Sequence, residues 1–567
     1  MMALVLLSLI AVGCTASDGD GAIIVDAETT SRSLASAGEE CTGTFVPVKL
    51  DHTTRGRGVI TAMSDGTGAG VLLEDLDDDG LVDIVLPNLA GETSILWNRG
   101  DLRFDRRVLA EGRFRQAIAV DVDGDGARDV LLTTGIGPPV TLRATEPAPD
   151  DQADAPVAFV AQEFRTRAVS YSMAAGDLDG DGGLRLVTGS YNAELTQNRD
   201  PRVLTGTDVG IAIHNLAAGA GPDEIATEFL TTQAQALVTL VVDLDDDGRR
   251  DVFVGNDLGT PDGIWLGDPA GLVAATPFDS TTLSTMSLDV ADLDNDGDRD
   301  VIATDMAPMA GADPDPWLGV AEDIEAAMID DVQEPRNKLQ FAGDDGYEDR
   351  AADLGFEATG WSWSGVAGDL DADGLLDLYV VNGMQATSIF PDLVDGALIE
   401  ANQAFRNTGD GLAPAPDWGM AETAGGRGMA QADLDGDGDL DVVINNLGSP
   451  AVLLENRICA GPSVIVDPRW DGVANADALG STVTVIGGDD VRRSRQILSS
   501  RGYLSSPPTE AHVGLGVTAG PFTVEVTWPD GAVSTVADVE SGTHLTVTRT
   551  APPVEPAVAA ERGEGGS

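Results

Sequence analysis

The chain has 567 residues, with 95 Asp and Glu against 33 Lys and Arg, for a formal net charge of −62. So acidic a surface repels phosphate backbones, which argues against nucleic acid as a partner, and it repels anionic headgroups, which leaves a membrane only as something to be anchored to. With 42% hydrophobic residues and runs such as DVFVG and DLYVVN, the chain is a folded protein and not a disordered acidic polymer.

The N-terminal MMALVLLSLIAVG is a mostly apolar stretch of 13 residues before Cys14, shorter than the ~20 a spanning helix needs. Residues 1–13 read as an export signal. Ala11-Val12-Gly13-Cys14 is similar to a bacterial lipobox, whose cysteine is acylated after cleavage. No Lys or Arg precedes the apolar run, and Ala11 stands where Leu is usual, so an ordinary signal peptide is the alternative. Either way an exported protein is expected, held at a bacterial cell envelope or outer surface through a lipid on Cys14, or secreted. Residues 14–40 are rich in Ser, Thr, Gly, Ala, Asp and Glu, the composition of a flexible tether.

Cys41 stands just before a repeat region and Cys459 just after it. In an exported protein two such thiols are expected to form a disulfide that pins the ends of residues 41–459 together, two separate cysteines being the alternative. Between them D-x-D-x-D-G-x-x-D begins at Asp75, Asp121, Asp243, Asp292, Asp369 and Asp433. A seventh copy begins at Asp177 and ends in Arg185 where the others have Asp. The starts are 46, 56, 66, 49, 77 and 64 residues apart, room for four short strands and their loops.

Three or four carboxylates within nine residues repel by roughly 4 kcal/mol per pair at 4 Å and an effective dielectric of ~20. Such a loop is stable around a cation. The donors are all hard oxygens, with neither Cys nor His, which favours Ca2+ over zinc or copper. The expected ligands are Asp75, Asp77, Asp79 and Asp83, with the Leu81 carbonyl; Asp121, Asp123, Asp125 and Asp129; Asp243, Asp245, Asp247 and Asp251; Asp292, Asp294, Asp296 and Asp300; Asp369, Asp371, Asp373 and Asp377; and Asp433, Asp435, Asp437 and Asp441. The third copy has Asp177, Asp179 and Asp181, and Arg185 leaves its occupancy open. About six to seven Ca2+ sites follow. The loops are not EF-hands, because the twelfth position holds Leu86, Leu132, Val254, Ala303, Val380 or Ile444 in place of a bidentate Glu. Apolar, largely β-branched runs follow each loop and short strand candidates precede it, so the cation is expected in a tight hairpin.

These residues resemble FG-GAP (VCBS) repeats of integrin-α-type propellers. The phrases LVTGSYNAEL, VFVGNDLGTPDGIWL, GWSWSGVAGDLDADGLLDLYVVNGM and GMAQADLDGDGDLDVVINNLGSPAVLLEN are similar to the cartilage acidic protein family. Farther along, ALGSTVTVIGG, SSRGYLSS, HVGLG and VEVTWPDGAVSTV resemble the ASPIC/UnbV domain that follows the propeller there. The resemblance implies an all-β fold: a seven-bladed propeller over 41–459 with peripheral Ca2+ hairpins, then a small antiparallel β domain over 460–549. Closure of such a ring is what a Cys41–Cys459 bond would enforce.

Residues 304–339 interrupt the pattern and read as an insertion on a propeller face, with Val320, Ile324, Met328 and Val332 forming one apolar stripe of a helix. In 460–549, STVTVIGG, FTVEVTWPDG and HLTVTRT alternate apolar and polar residues, as antiparallel strands do. Arg492, Arg493, Arg495 and Arg501 form a local positive cluster, open to three readings: a grip on an acidic glycan, a dock against the propeller, or a solvated strand face. Trp528 and Tyr503 read as core or turn residues. Residues 550–567 read as a disordered tail. No G-x-S-x-G, metal-spaced histidine pair or phosphate-binding glycine loop occurs. The expected function is adhesion or recognition of an extracellular glycan or protein ligand; the alternative is an enzyme or biosynthetic accessory with a site in the propeller channel.

Overall fold

The computed structural model describes residues 23–35, 41–56, 66–145, 156–198, 207–216, 225–309, 332–384, 399–458, 461–488, 490–550 and 552. It is nearly all-β, 49% strand and 2% helix, and its architecture is propeller-like. Among the described residues, seven antiparallel sheets of four or five strands follow one another. The first runs Leu72–Glu74, Asp83–Leu86, Gly91–Asn98 and Phe104–Gly112, each strand antiparallel to the next. The others begin with inner strands Ala117–Val120, Ser172–Gly176, Ala236–Val242, Ser287–Ala291, Gly360–Gly368 and Gly426–Ala432. Each inner strand packs on the next, and the last packs on Leu72–Glu74, so the ring closes.

Burial explains the composition. Inner strands such as Ser172–Gly176 and Gly360–Gly368 are buried at every position, whereas outer strands such as Ala158–Glu163 are largely exposed. A strand covered on both faces loses the apolar–polar alternation and becomes a run of small or apolar residues. The space at the centre admits little else: a Cβ on Gly428 would lie 2.3 Å from the Gly70 Cα.

The ring is fastened by both ends of its own segment. Val46–Thr53 supplies the fourth strand of the seventh sheet, antiparallel to Pro450–Glu455. Thr42 and Gly43 donate backbone N–H bonds to the Arg457 carbonyl at 3.0 and 2.9 Å. Cys41 is disulfide-bonded. Cys459 and Cys14 lie outside the described residues.

After the ring the chain forms two further four-stranded sheets. One orders Glu28–Ser33, Thr543–Arg549, Ser463–Trp470 and Ala511–Gly514; the other orders Arg492–Gln496, Thr482–Ile486, Phe522–Thr527 and Val533–Val539. Val464, Val466, Val483, Val485, Val524, Val526 and Val547 share one core between them. At its edge the fully buried Arg549 guanidinium pairs with Asp530 at 2.7 Å and lies over Trp470, 4.2 Å from the ring centre.

Three sequence expectations change. The stretch read as a tether contributes strand Glu28–Ser33, which pairs with Thr543–Arg549 from Glu28 opposite Thr548 to Ser33 opposite Thr543. Composition could not foresee this, because a polar edge strand is stabilised by its partner's backbone and not by its own side chains. The stretch 304–339 is an insertion only in its middle. Met306–Ala307 pairs with the Gly360–Gly368 strand, and Lys338–Phe341 is the third strand of the fifth sheet. Residues 310–331, with Val320, Ile324 and Met328, lie outside the described residues, and Val332 is 43% exposed.

The third change concerns the arginine cluster, which divides. Arg492 is exposed and pairs with Glu525, whereas Arg501 docks on the ring, its guanidinium on the fully buried Asp289 side chain at 2.5 and 2.9 Å. Arg501 belongs to a segment, 499–506, that enters the ring along its axis. The Gly502 N–H donates to the Leu288 carbonyl and the Ser506 N–H to the Val71 carbonyl, both at 2.8 Å. Tyr503 is fully buried, its hydroxyl 2.9 Å from that of Tyr171 and its ring packed edge-on against Trp363. Tyr503 and Trp528 are core residues, as their sequence context implies.

Candidate metal centres

Each acidic loop joins the first and second strands of its sheet, and two of its residues must adopt left-handed backbone. The sixth position is Gly in every copy, with φ from 76° at Gly182 to 104° at Gly297. The fourth position is left-handed as well: Asp78, Asp246, Asn295 and Ala372 have φ of 53°, 54°, 57° and 49°, and Gly124, Gly180 and Gly436 stand in the other copies. Gly, Asp and Asn tolerate this conformation; Ala372 is the strained exception.

These two kinks turn the chain around its own carboxylates. The first Asp accepts the sixth-position N–H, as in Gly80 to Asp75 and Gly126 to Asp121, both at 2.8 Å. The fifth-position Asp accepts the N–H two residues on, as in Leu81 to Asp79 at 3.0 Å. The ninth-position Asp clamps the hairpin to the third strand. One oxygen accepts the N–H of the second loop residue at 2.6–3.2 Å, and the other accepts an N–H from the third strand or the residue just after it at 2.7–3.0 Å, in all six complete copies.

Of the expected ligands, those at the first, third and ninth positions converge, and the fifth-position Asp79, Asp125, Asp247, Asp296 and Asp373 stand outside these groups. Asp75, Asp77 and Asp83 bring carboxylate oxygens within 4.8 Å of one another. So do Asp121, Asp123 and Asp129; Asp243, Asp245 and Asp251; Asp292, Asp294 and Asp300; and Asp369, Asp371 and Asp377, with one further group among the described residues. Several of these oxygens are buried with no hydrogen-bond partner: one each on Asp77, Asp243, Asp369 and Asp371, and both on Asp292. Asp292 and Asp369 are 1% exposed, and leaving such an oxygen unpaired costs about 1–3 kcal/mol or more. The donor set and the unpaired oxygens fit a hard divalent cation.

Without a cation, burial disfavours the charged form of several of these carboxyls. Burial pushes Asp83 up to about 9, Asp300 to about 8, and Asp129, Asp251 and Asp369 to about 7, with neighbouring carboxylates adding to the shift and backbone N–H groups opposing it. A divalent ion reverses this balance by favouring the charged form.

The third copy is built differently. The Arg185 guanidinium reaches across its loop to Asp179 at 2.7 Å and Asp181 at 3.4 Å, a side-chain cation where the other copies have a ninth aspartate. In the second copy Arg143, from the third strand, touches Asp123 and pairs with Asp129 at 2.8 Å. Sequence reading missed both the fourth-position kinks and the lateral ties between loops. Arg128 pairs with Asp78 of the preceding loop at 2.9 Å, and Arg299 with Asp246 at 3.4 Å. Arg at the eighth position of the second, fourth and fifth copies was the available signal.

The loops are not a free rim: they face the sandwich. Gly461 and Gly516 donate N–H bonds to the Asp371 and Ala372 carbonyls at 3.0 and 2.9 Å. Ala35 donates to the Gly436 carbonyl at 2.7 Å, and His512 Nε2 lies 2.9 Å from the Gly438 carbonyl. Asn475 donates to the Gly182 carbonyl at 3.0 Å, Gln496 bonds Asp243, Arg32 bonds Gly80, and Arg128 pairs with Asp477. The fifth loop looks toward Arg495 across a cavity of about 80 Å³ that Asp292, Asp369, Gln431 and His512 also line.

An FG-GAP-like repeat model matches residues 75–132, 243–303 and 390–444, and the ASPIC and UnbV model matches 472–553. No curated protein matches the chain. Among solved structures it is similar to a Bacillus licheniformis rhamnogalacturonan lyase PL11, at 14% identity over 73% of this chain and 76% of that one, TM-score 0.35. It is also similar to BBS1N in complex with ARL6DN, at 10% identity over 69% and 93%, TM-score 0.36. AofleA from Arthrobotrys oligospora matches at 8% identity over 67% and 92%, TM-score 0.32. The chain therefore carries FG-GAP-like repeats followed by an ASPIC and UnbV domain.

Proposed function

We propose that this protein is an exported, Ca2+-stiffened seven-bladed propeller that recognises a glycan or protein ligand outside the cell, in the manner its likeness to the cartilage acidic protein family implies. The observation that carries the metal part is the set of buried, unpartnered aspartate oxygens that converge in the repeat loops. Residues Asp75, Asp77, Asp79 and Asp83 and their counterparts would hold the ions, which supply positive charge that lets the buried carboxyls ionise. The chain's own part is to aim the oxygens, through the two left-handed turns of each loop, and to lock the ninth aspartate onto the third strand.

The sandwich covers the loop face of the ring, so the ligand-binding face is the opposite one, where the second strand of each sheet hands over to the third. The enzyme alternative needs room in the channel, and there Tyr503 and the rest of 499–506 are packed against the inner strands. A Cys41–Cys459 disulfide would lock the closure made by Val46–Thr53, in keeping with the bonds from Thr42 and Gly43 to Arg457. With Cys14 acylated, roughly 14 residues precede strand Glu28–Ser33 of the sandwich, a span of at most ~50 Å, which keeps the sandwich membrane-proximal and the ligand face outward. The test is a screen of glycans and surface proteins at millimolar Ca2+ with a chelator control. Ligands captured only with Ca2+ are the expected result; no capture under either condition counts against recognition.

A further inference from the structure

Five of the loops serve a second purpose that the metal chemistry alone does not require. In the first, third, fourth, sixth and seventh loops, backbone carbonyls are the acceptors on which the sandwich and its N-terminal strand are seated. In the sixth loop the carbonyl of the strained Ala372 receives the Gly516 N–H at 2.9 Å while its neighbour Asp371 offers a side-chain oxygen to the candidate ion and its carbonyl to Gly461. In the seventh loop the Gly436 and Gly438 carbonyls receive Ala35 and His512. The same few residues hold the ion on one side and the sandwich on the other. A loop that loses its ion is left with three or more carboxyl groups crowded together and no counter-charge, and as they ionise it separates them by relaxing the turns that aim those carbonyls.

We propose that metal occupancy of the repeat loops governs the docking of the C-terminal sandwich, and with it the seating of residues 499–506 in the ring. The inference rests on the loops binding divalent metal. Removing the ions frees the sandwich from the loops and withdraws the axial segment, while the sheets of both parts persist, because their strand ladders do not pass through the loops. The docking is reciprocal: a seated sandwich holds the loops in their binding conformation and raises their metal affinity.

The experiment is hydrogen exchange on the full chain, Ca2+-loaded and then stripped by chelator, with bound metal counted by mass spectrometry of the same samples. The diagnostic amides are Gly502 and Ser506 in the axial segment, Gly516 and Gly461 at the sixth loop, and Ala35 at the seventh. Exchange at these amides is expected to rise at least tenfold on stripping, with amides inside Val464–Val466 and Val524–Val526 changing far less. Asp371→Asn with Asp373→Asn is expected to lower the metal count by one and raise exchange at Gly461 and Gly516 even in Ca2+. A chain that loses its metal while the axial and interface amides stay protected overturns the coupling and leaves the metal reading intact. A chain that binds no metal overturns both. Equal loss of protection throughout the sandwich core means global unfolding and also overturns the proposal.

Discussion

At the scale of single residues the third loop offers the sharpest contrast. Arg185 puts a tethered cation between Asp179 and Asp181, so this copy needs no metal to be quiet. Arg185→Asp restores the ninth ligand of the complete copies, and native mass spectrometry in Ca2+ is expected to count one more ion than in the parent chain. Asp83 tests the opposite direction. Its two oxygens accept N–H bonds from Leu76 and Asn98, so Asp83→Asn sets an amide NH2 against a donor. A loss of about 1–3 kcal/mol in denaturant unfolding, and of one ion, is expected. Away from the loops, burial lowers His52 and His214 to about 4, with Arg106 adding to the effect at His52. A base whose folded pKa lies below its unfolded value of 6.5 contributes stability that is complete above pH 6.5 and is lost as pH falls toward 4. The loss reaches at most about 3 kcal/mol for each. Urea midpoints of the chain and of His214→Asn are expected to approach one another between pH 7 and pH 4.5.

At the scale of elements, legibility in the sequence followed periodic chemistry. The hairpins around Asp75 and its counterparts were readable because four acidic positions, a fixed Gly and an apolar strand recur in phase, and the structure brings the first, third and ninth of those positions together. Strand Glu28–Ser33 was not readable, since ETTSRS has no apolar face and exists only through its ladder to Thr543–Arg549. The axial role of 499–506 was equally hidden: SSRGYLSS is polar by composition, yet Tyr503 and Leu504 are fully buried, because the hydroxyls of Ser499, Ser505 and Ser506 meet backbone groups of the inner strands. The N-terminal strand can be tested by itself. A chain beginning at residue 36 leaves Thr543–Arg549 as an open sheet edge, which invites pairing with another chain. Self-association in analytical ultracentrifugation is expected for that truncation and not for the parent.

At the scale of the whole molecule, a net charge of −62 is tolerable because much of it is gathered where cations can neutralise it. This fixes how stability should depend on pH with and without metal. In the stripped protein, burial raises Asp83, Asp300 and Asp129 to about 9, 8 and 7, against about 3.9 in an unfolded chain. A carboxyl raised on folding contributes stability below its unfolded value and loses it as pH climbs through the folded one. The stripped ring is therefore expected to weaken from about pH 5 to pH 9. Metal changes the sign, because the ions bind the deprotonated carboxylates and their affinity rises over the same interval. At ten times the dissociation constant each occupied loop adds about 1.4 kcal/mol, so six loops add about 8 kcal/mol. Melting curves at fixed free Ca2+ and in metal-free buffer should lie close together near pH 5 and separate by several degrees or more by pH 8. Curves that stay parallel across this range would mean that the aspartates do not exchange protons for metal, and the loops would then be held together by something other than ions.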